Sequence, residues 1–181
     1  LSATTPAQIV SLNKLQGQLQ DKGALDTISQ YLSLLEDSFL IAALDKHTSK
    51  PLRSRSSPPK LIVLSNALLA VMDPRGIPNK LIEPDRFGCW VENAILAHCW
   101  NSGQQVSYWR EDSYEVDGVI DGSWGSYAIE VKTGSFIERD LIGLFEFTRK
   151  NPKYRPLIIC DEKDVAKARK LTIEALSWPN F

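Results

Sequence analysis

Two apolar runs that carry charged residues constrain the fold of this chain most. They read Glu-Val-Asp-Gly-Val-Ile at residues 115–120 and Ala-Ile-Glu-Val-Lys at residues 128–132. Successive side chains of a strand point to opposite faces, so Glu130 and Lys132 share one face and their apolar neighbours lie on the other. If the two runs pair as a hairpin, Asp117 joins them. The sequence therefore predicts two carboxylates and an ammonium that converge at the edge of a sheet.

These groups suit a Mg²⁺-dependent phosphodiester hydrolase. Carboxylate oxygens are hard ligands of the kind that Mg²⁺ prefers, and an ammonium can orient a water molecule or stabilise developing negative charge. The structural alternative is that the same residues, with Glu115, form the polar face of a half-solvated antiparallel sheet. A cross-strand Asp–Lys pair then contributes only a few tenths of a kcal/mol. A Glu-x-Lys spacing alone is common in strands and does not decide between the two.

Helical and strand patterns surround the two runs. Helical periodicity predicts a helix over residues 86–100, before them, and another near residues 138–150, after them. Strand patterns cover residues 105–110, 115–121, 126–132 and 155–160, and a last helix is predicted from about residue 161. These elements predict an α/β fold in which a mixed sheet is flanked by helices.

Four motifs in this half of the chain resemble a known family. They are Arg-Phe-Gly-Cys-Trp-Val-Glu-Asn at residues 86–93, Tyr-Trp-Arg at 108–110, Glu-Val-Asp at 115–117 and Ile-Glu-Val-Lys at 129–132. They resemble the uncharacterised domain at the C-terminus of bacterial and archaeal AAA-type ATPases, with its PD-(D/E)XK nuclease-like core. The resemblance continues upstream through residues 31–41 and Pro-Lys-Leu at 59–61, and so covers nearly the whole chain.

The resemblance implies a restriction-endonuclease-like fold and a set of site residues. It puts Asp117, Glu130 and the carbonyl of Val131 at a Mg²⁺ or Mn²⁺ ion, with Lys132 as the catalytic lysine. It makes Glu92 the acid of the first helix, which would position a second ion or a metal-bound water. Three carboxylates in one site repel one another, so the cluster makes sense only with a cation or with raised pKa values.

Two positions depart from the family pattern. Ser65 stands where the family commonly has an aspartate after the Pro-Lys-Leu strand, and Gly118 stands where an aromatic residue is usual after Glu-Val-Asp. A glycine within a strand often marks a bulge or a close approach of another segment. We therefore expect one of these features beside Asp117.

The N-terminal third has the pattern helix, helix, hairpin. Thr-Pro-Ala-Gln at residues 5–8 resembles a capping box with Pro6 at the first helical position, and Asp26 can cap the second helix. The hairpin strands are predicted at residues 39–44 and 60–64, joined by a Ser/Pro/Arg-rich loop. This arrangement predicts a winged-helix-like domain over residues 1–78. A proline-containing linker at 77–85 leads into the nuclease-like domain, residues 79–181, which we expect to fold without the first.

The basic loop of the predicted winged helix is the candidate for contact with nucleic acid. A helix that reads DNA bases would have a basic exposed face, whereas that of residues 26–36 carries Thr, Ser, Gln and acidic side chains. Arg53, Arg55 and Lys60 lie in or beside the loop and are predicted to contact phosphates. The alternative is a winged helix that serves only for packing or protein contact.

Composition and simple motifs limit which other classes of protein the chain can belong to. Of the 181 residues, 43% are hydrophobic and 24% charged, and the formal net charge is -1, which is typical of a soluble protein that does not coat a polyanion. No apolar run approaches the ~20 residues that cross a bilayer. No Gly-x-x-x-x-Gly-Lys-Ser/Thr loop occurs, so this chain alone should not hydrolyse ATP. The family resemblance implies that an ATPase module lies upstream. The three cysteines lack metal-like spacing and predict reduced thiols in a cytoplasmic protein.

The sequence leaves two functions open. The first is a Mg²⁺-dependent nuclease, or a nuclease-like region that binds nucleic acid, at the C-terminus of an ATPase. The second is a non-catalytic regulatory or protein-interaction module of the ATPase that retains the nuclease fold. Convergence of the acids with Lys132 favours the first, whereas a Lys132 that turns away, or a Glu92 tied to an arginine, favours the second.

Overall fold

The structure is a computed structural model that describes residues 6–18, 25–48 and 57–181. These residues form a three-stranded and a five-stranded sheet. The strands are β1 (Gln8–Ile9), β2 (Ile41–Leu44), β3 (Lys60–Val63), β4 (Gln105–Glu111), β5 (Tyr114–Gly122), β6 (Gly125–Lys132), β7 (Arg155–Cys160) and β8 (Glu174–Ser177). The helices in the same ranges are α1 (Leu12–Gln18), α2 (Leu25–Asp37), α3 (Asn66–Met72), α4 (Pro84–Asn101), α5 (Ile142–Lys150) and α6 (Glu162–Lys170), with 3-10 helices at Glu138–Leu141 and Trp178–Asn180.

The first sheet is antiparallel, with the order β1-β3-β2, and α1 and α2 connect β1 to β2. The expected helix start at Pro6 is wrong. Ala7 has a φ of 57° and donates its N–H to the carbonyl of Leu61 at 3.0 Å, so the chain here joins β3. α1 starts only after Ser11, whose hydroxyl accepts the N–H of Lys14 at 3.3 Å. A long-range strand pairing has outweighed a local capping pattern.

The second sheet has the order β4-β5-β6-β7-β8. The pairs from β4 to β6 are antiparallel and those from β6 to β8 are parallel, so the predicted mixed sheet is confirmed. α4 packs on one face, where Ile95 joins Ile120 and Ile129 in one buried cluster. α5 and α6 pack on the other, where Phe147 joins Val116 in a second cluster. No helix within the described ranges is long and apolar enough to cross a membrane.

The first sheet packs on the same side as α4 and shares its core. Leu44 and Ile62 belong to the buried cluster that contains Ile95. The fully buried Asn93 accepts the N–H of Val63 at 2.9 Å and donates to the carbonyl of Val63 at 2.8 Å. The side chain of one helix residue thus satisfies both backbone groups at the end of β3. The predicted division at residues 78/79 stays a prediction, but the two parts are joined by apolar and polar contacts.

Candidate functional site

A bulge in β5 sets the position of Asp117. Between two aligned pairs of the β4–β5 ladder, β5 has Asp117 and Gly118 where β4 has Tyr108 alone. Such an extra residue bends its strand and re-aims the side chains beside it, and bulges are frequent next to active sites. The expected irregularity beside Asp117 is present.

Gly118 also lets α4 come close to the sheet. A Cβ at this position would lie 2.6 Å from Cδ2 of Leu96, whose side chain fills the space. Because Leu96 follows Glu92 by one helical turn, this approach brings Glu92 towards Asp117. An aromatic side chain in place of Gly118 would require α4 to move.

The three predicted strand residues come together at this point. Oδ2 of Asp117 accepts the backbone N–H of Val131 at 2.8 Å, which ties β5 to β6. Nζ of Lys132 donates to Oε1 of Glu130 at 2.7 Å, so the lysine does not turn away. Glu130 is buried, and its Oε2 has no hydrogen-bond partner among the described residues. One buried carboxylate oxygen therefore remains available to a cation.

Lys60 completes the site, although the sequence assigned it elsewhere. It is 1% exposed, and its Nζ lies 2.5 Å from Oε1 of Glu92. The same ammonium donates to the backbone carbonyl of Asp117 at 3.1 Å, and lies 3.9 Å from Oδ1 of Asp117 and 3.6 Å from Oε1 of Glu115. The expected contact of Lys60 with nucleic-acid phosphates does not fit this burial. Glu92 is tied to a lysine rather than to an arginine.

The strand pattern holds a partial signal for this placement. Lys60 and Ile62 share one face of β3, and Ile62 packs in the core that includes α4. Leu61 and Val63, on the other face, are buried as well. A lysine in a strand that is apolar on both faces needs a buried carboxylate partner. The sequence does not identify that partner, because Glu92 lies on a different element.

Burial and repulsion raise the pKa of Glu92 and of Glu130. Burial is the larger cause, the charge of Asp117 adds to it, and the neighbouring lysine opposes both. Burial alone would lower the pKa of Lys60, but the charges of Glu92 and Asp117 outweigh it and raise this pKa above its usual range. At Lys132, burial alone would likewise lower the pKa, but the charge of Glu130 outweighs it, so the pKa of Lys132 is raised. Both lysines remain charged, and both glutamates hold a proton more tightly than in water.

Comparison with known families assigns the second half of the chain. The sequence model of a family described as a domain of unknown function (DUF4143) matches residues 87–181. The chain belongs to the DUF4143 family. The match agrees with the resemblance to an uncharacterised C-terminal domain of ATPase-associated proteins. No curated protein and no solved structure matches the chain.

The DUF4143 match includes most of the site but not all of it. Glu92, Asp117, Glu130 and Lys132 lie within the matched residues, whereas Lys60 precedes them. The ammonium that holds Glu92 therefore comes from the segment before the DUF4143 match, on β3 of the first sheet. The site is built from both parts of the chain.

The donor atoms of the DUF4143 site are carboxylate oxygens. No group of three or more His, Cys, Asp or Glu side chains in the described ranges is arranged to hold a metal ion. Lys60 holds Glu92, and Lys132 holds one oxygen of Glu130. The unpartnered Oε2 of Glu130 and the carboxylate of Asp117 are hard oxygen donors, whose chemistry suits a divalent cation. Glu92 is not free to serve a second ion, because Lys60 holds it.

An open groove of about 280 Å³ lies beside the site in the DUF4143 chain. Its lining residues are Ala7, Gln8, Ile9, Lys14, Arg110 and Glu115. Lys14 and Arg110 are exposed and bring two positive charges to its walls, while Glu115 lies 3.9 Å from Arg110. Arg53 and Arg55, the other predicted phosphate contacts, lie outside the described residues.

Proposed function

We propose that the chain is a metal-dependent phosphodiester hydrolase, a nuclease acting on nucleic acid, that forms the C-terminal region of an ATPase. The observation that carries this proposal is the unpartnered Oε2 of Glu130, buried beside Asp117 and Lys132. A buried carboxylate oxygen without a partner is costly. A divalent cation at this point would remove the cost and would meet only oxygen ligands.

The order of elements supports a PD-(D/E)XK nuclease-like core. A helix that carries an acid, α4, precedes the hairpin β5–β6, which carries Asp117, Glu130 and Lys132. The sheet then turns from antiparallel to parallel pairing at β6. In the first half, the order β1-β3-β2 with two intervening helices supports a winged-helix-like segment in front of this core.

Each side chain has a proposed role. A Mg²⁺ or Mn²⁺ ion held by Asp117, Glu130 and the carbonyl of Val131 would supply Lewis acidity and a bound water of lowered pKa. The N–H of Val131 keeps the carboxylate of Asp117 oriented. The side chain of Lys132 is 26% exposed, so its ammonium can reach a phosphate oxygen or a water while it stays beside Glu130. Glu92 holds the ammonium of Lys60 in place beside Asp117.

The groove beside Glu115 supports nucleic acid as the substrate class. Lys14 and Arg110 on its walls offer two cations to a sugar–phosphate backbone, and phosphate contacts of this kind position nucleic acid without reading its sequence. The groove reaches the carboxylates through Glu115, which precedes Asp117 by two residues on β5.

Metal-dependent cleavage and stability together test the proposal. Wild type, Asp117→Asn and Lys132→Met are incubated with labelled single- and double-stranded DNA and RNA in Mn²⁺ or Mg²⁺, with the intact ATPase present. We expect wild type to cleave and both variants to lose cleavage, since one loses a ligand and the other loses the ammonium. The ion should raise the melting temperature of wild type and of Lys132→Met, but raise that of Asp117→Asn much less. Glu174→Gln, which alters an exposed acid of β8, is the control and should match wild type.

A specific observation favours the second candidate, a non-catalytic regulatory or protein-interaction module. Lys60 and Lys132 already neutralise Glu92 and Glu130, so only Asp117 of the three predicted acids lacks a close ammonium of its own. If neither ion stabilises wild type at millimolar concentration, and Asp117→Asn is clearly destabilising, the cluster is a structural charge network. The non-catalytic function then replaces the nuclease.

A further inference from the structure

Lys60 reaches the DUF4143 site from a different sheet. Its Nζ lies within 4 Å of oxygen atoms from Glu92, Glu115 and Asp117, which come from α4 and β5. Its side chain is 2% exposed. An ammonium this deeply buried keeps its charge only because carboxylates surround it, and removal of its partners would leave an uncompensated buried charge. The contact therefore couples the first sheet to the acids of the second.

The position of this ammonium is that of a second cation. Sites that use two ions hold them about 4 Å apart, bridged by carboxylates. Asp117 faces Lys60 with Oδ1 and accepts the N–H of Val131, the residue after Glu130, with Oδ2, so one carboxylate contacts both the buried ammonium and the strand that carries Glu130. Glu92, the acid expected to serve a second ion, is bound to Nζ instead.

We propose that Lys60 is a built-in monovalent cation that fills the second-ion position and restricts the site to one divalent ion. The proposal rests on the proposed function, because it takes Asp117 and Glu130 as the ligands of the remaining ion. It makes Lys60 a positioning residue, since it acts through Glu92 and Asp117. It also makes the N-terminal sheet a required part of the site.

Ion stoichiometry tests this directly. Titration calorimetry with Mn²⁺ and with Mg²⁺ is carried out on the full chain as wild type, Lys60→Met and Lys60→Arg. Methionine keeps most of the length of lysine without the charge, and arginine keeps the charge. We expect one ion per chain in wild type and in Lys60→Arg, and two in Lys60→Met. The double variant Lys60→Met/Glu92→Gln should return to one ion, because the second ion needs Glu92.

The matched control is Lys153→Met, which removes the ammonium that lies 2.9 Å from Oδ1 of Asp121, towards the end of β5. It should leave the number of bound ions unchanged. Equal stoichiometry in wild type and folded Lys60→Met overturns the inference and makes Lys60 an ordinary ion-pair partner. If wild type binds no ion and Lys60→Met binds one that depends on Glu92, the proposed ion site at Glu130 fails. Lys60 then still fills a cation position at Glu92, but the restriction of the site to one divalent ion is overturned.

A folding defect in Lys60→Met does not remove the test. Loss of the Lys60 ammonium leaves Glu92, Asp117 and Glu130 with one fewer cation. If the metal-free variant is unfolded for this reason, millimolar Mg²⁺ or Mn²⁺ should restore its circular dichroism spectrum and a cooperative melt. Failure of both ions to restore the fold, with sodium chloride at matched ionic strength as the control, also overturns the inference. Both measurements report on binding and folding and are independent of cleavage.

Discussion

At the scale of single residues, burial rather than residue type gives the site its chemistry. Asp117, Glu130 and Lys132 were predictable because strand alternation and the hairpin place them on one face. The role of Lys60 was not predictable, because the same lysine could end an exposed loop or enter a core. Lys60 is buried because α4 and the second sheet pack over β3. This packing is a long-range contact that no local pattern encodes.

The raised pKa values predict how the metal-free protein responds to pH. Glu92 and Glu130 both have pKa values raised from 4.5 to about 8 in the folded state, chiefly by burial. The folded state therefore keeps protons that the unfolded state has lost, so the stabilisation is complete below pH 4.5 and is lost as the pH rises towards about 8. Urea denaturation in chelator-treated buffer should show that the free energy of unfolding of Glu130→Gln falls less steeply with pH than that of wild type over this range.

Above about pH 8, wild type and Glu130→Gln should differ in their order of stability. Glu130→Gln should be more stable than wild type, because a buried charge has been removed, and Mg²⁺ should reverse the order by binding wild type better. Glu174→Gln, which alters an exposed acid on β8, should follow the wild-type curve. Parallel curves for wild type and Glu130→Gln would show that Glu130 is ionised throughout and paired fully by Lys132.

At the scale of elements, local signals succeeded where pairing was local. Residues 155–160 were predicted as a strand and form β7, since Leu-Ile-Ile is an apolar run with two β-branched residues and follows a turn. β8 was missed because Glu-Ala-Leu-Ser contains good helix formers and is only four residues long. Its parallel pairing with β7 across α6 supplies what its own sequence lacks. The start of the first helix failed for the same reason, since β1 depends on β3.

The packing of α5 on β5 predicts an unusual glycine effect. A Cβ at Gly143 would lie 2.3 Å from the backbone oxygen of Glu115, so α5 or β5 must shift to accommodate alanine. Gly143→Ala should destabilise by ~1–3 kcal/mol through overpacking, even though alanine is favoured over glycine in helices by ~1 kcal/mol. Gly17→Ala in α1 is the matched control, because its Cβ would meet nothing within 4 Å. Equal effects of the two changes in thermal and urea unfolding would contradict the close packing.

At the scale of the whole molecule, residues of the two predicted domains share one buried cluster. The buried cluster of Leu44, Ile62 and Ile95 spans the proposed boundary, and Asn93 binds both backbone groups of Val63 across it. A proline-containing linker predicts separable domains, but the linker composition reports only on the connection. It carries no information about the faces that meet on either side of it.

Glu92→Gln should therefore have effects of opposite sign in the full chain and in residues 79–181 alone. In the full chain, at a pH above about 8 where Glu92 is ionised, it removes the nearest partner of Lys60 and leaves a buried ammonium under-compensated, which should cost about 3 kcal/mol. In the fragment Lys60 is absent, so the same change only relieves repulsion between Glu92 and Asp117 and should leave stability unchanged or raised. Urea unfolding of the four proteins measures both effects, with Glu146→Gln, which alters a partly exposed acid of α5, as the control. A destabilisation of equal size in fragment and full chain would mean that Glu92 is held by α4 and β5 without Lys60. A fragment that melts as cooperatively as the full chain, and at as high a temperature, would establish two independent domains.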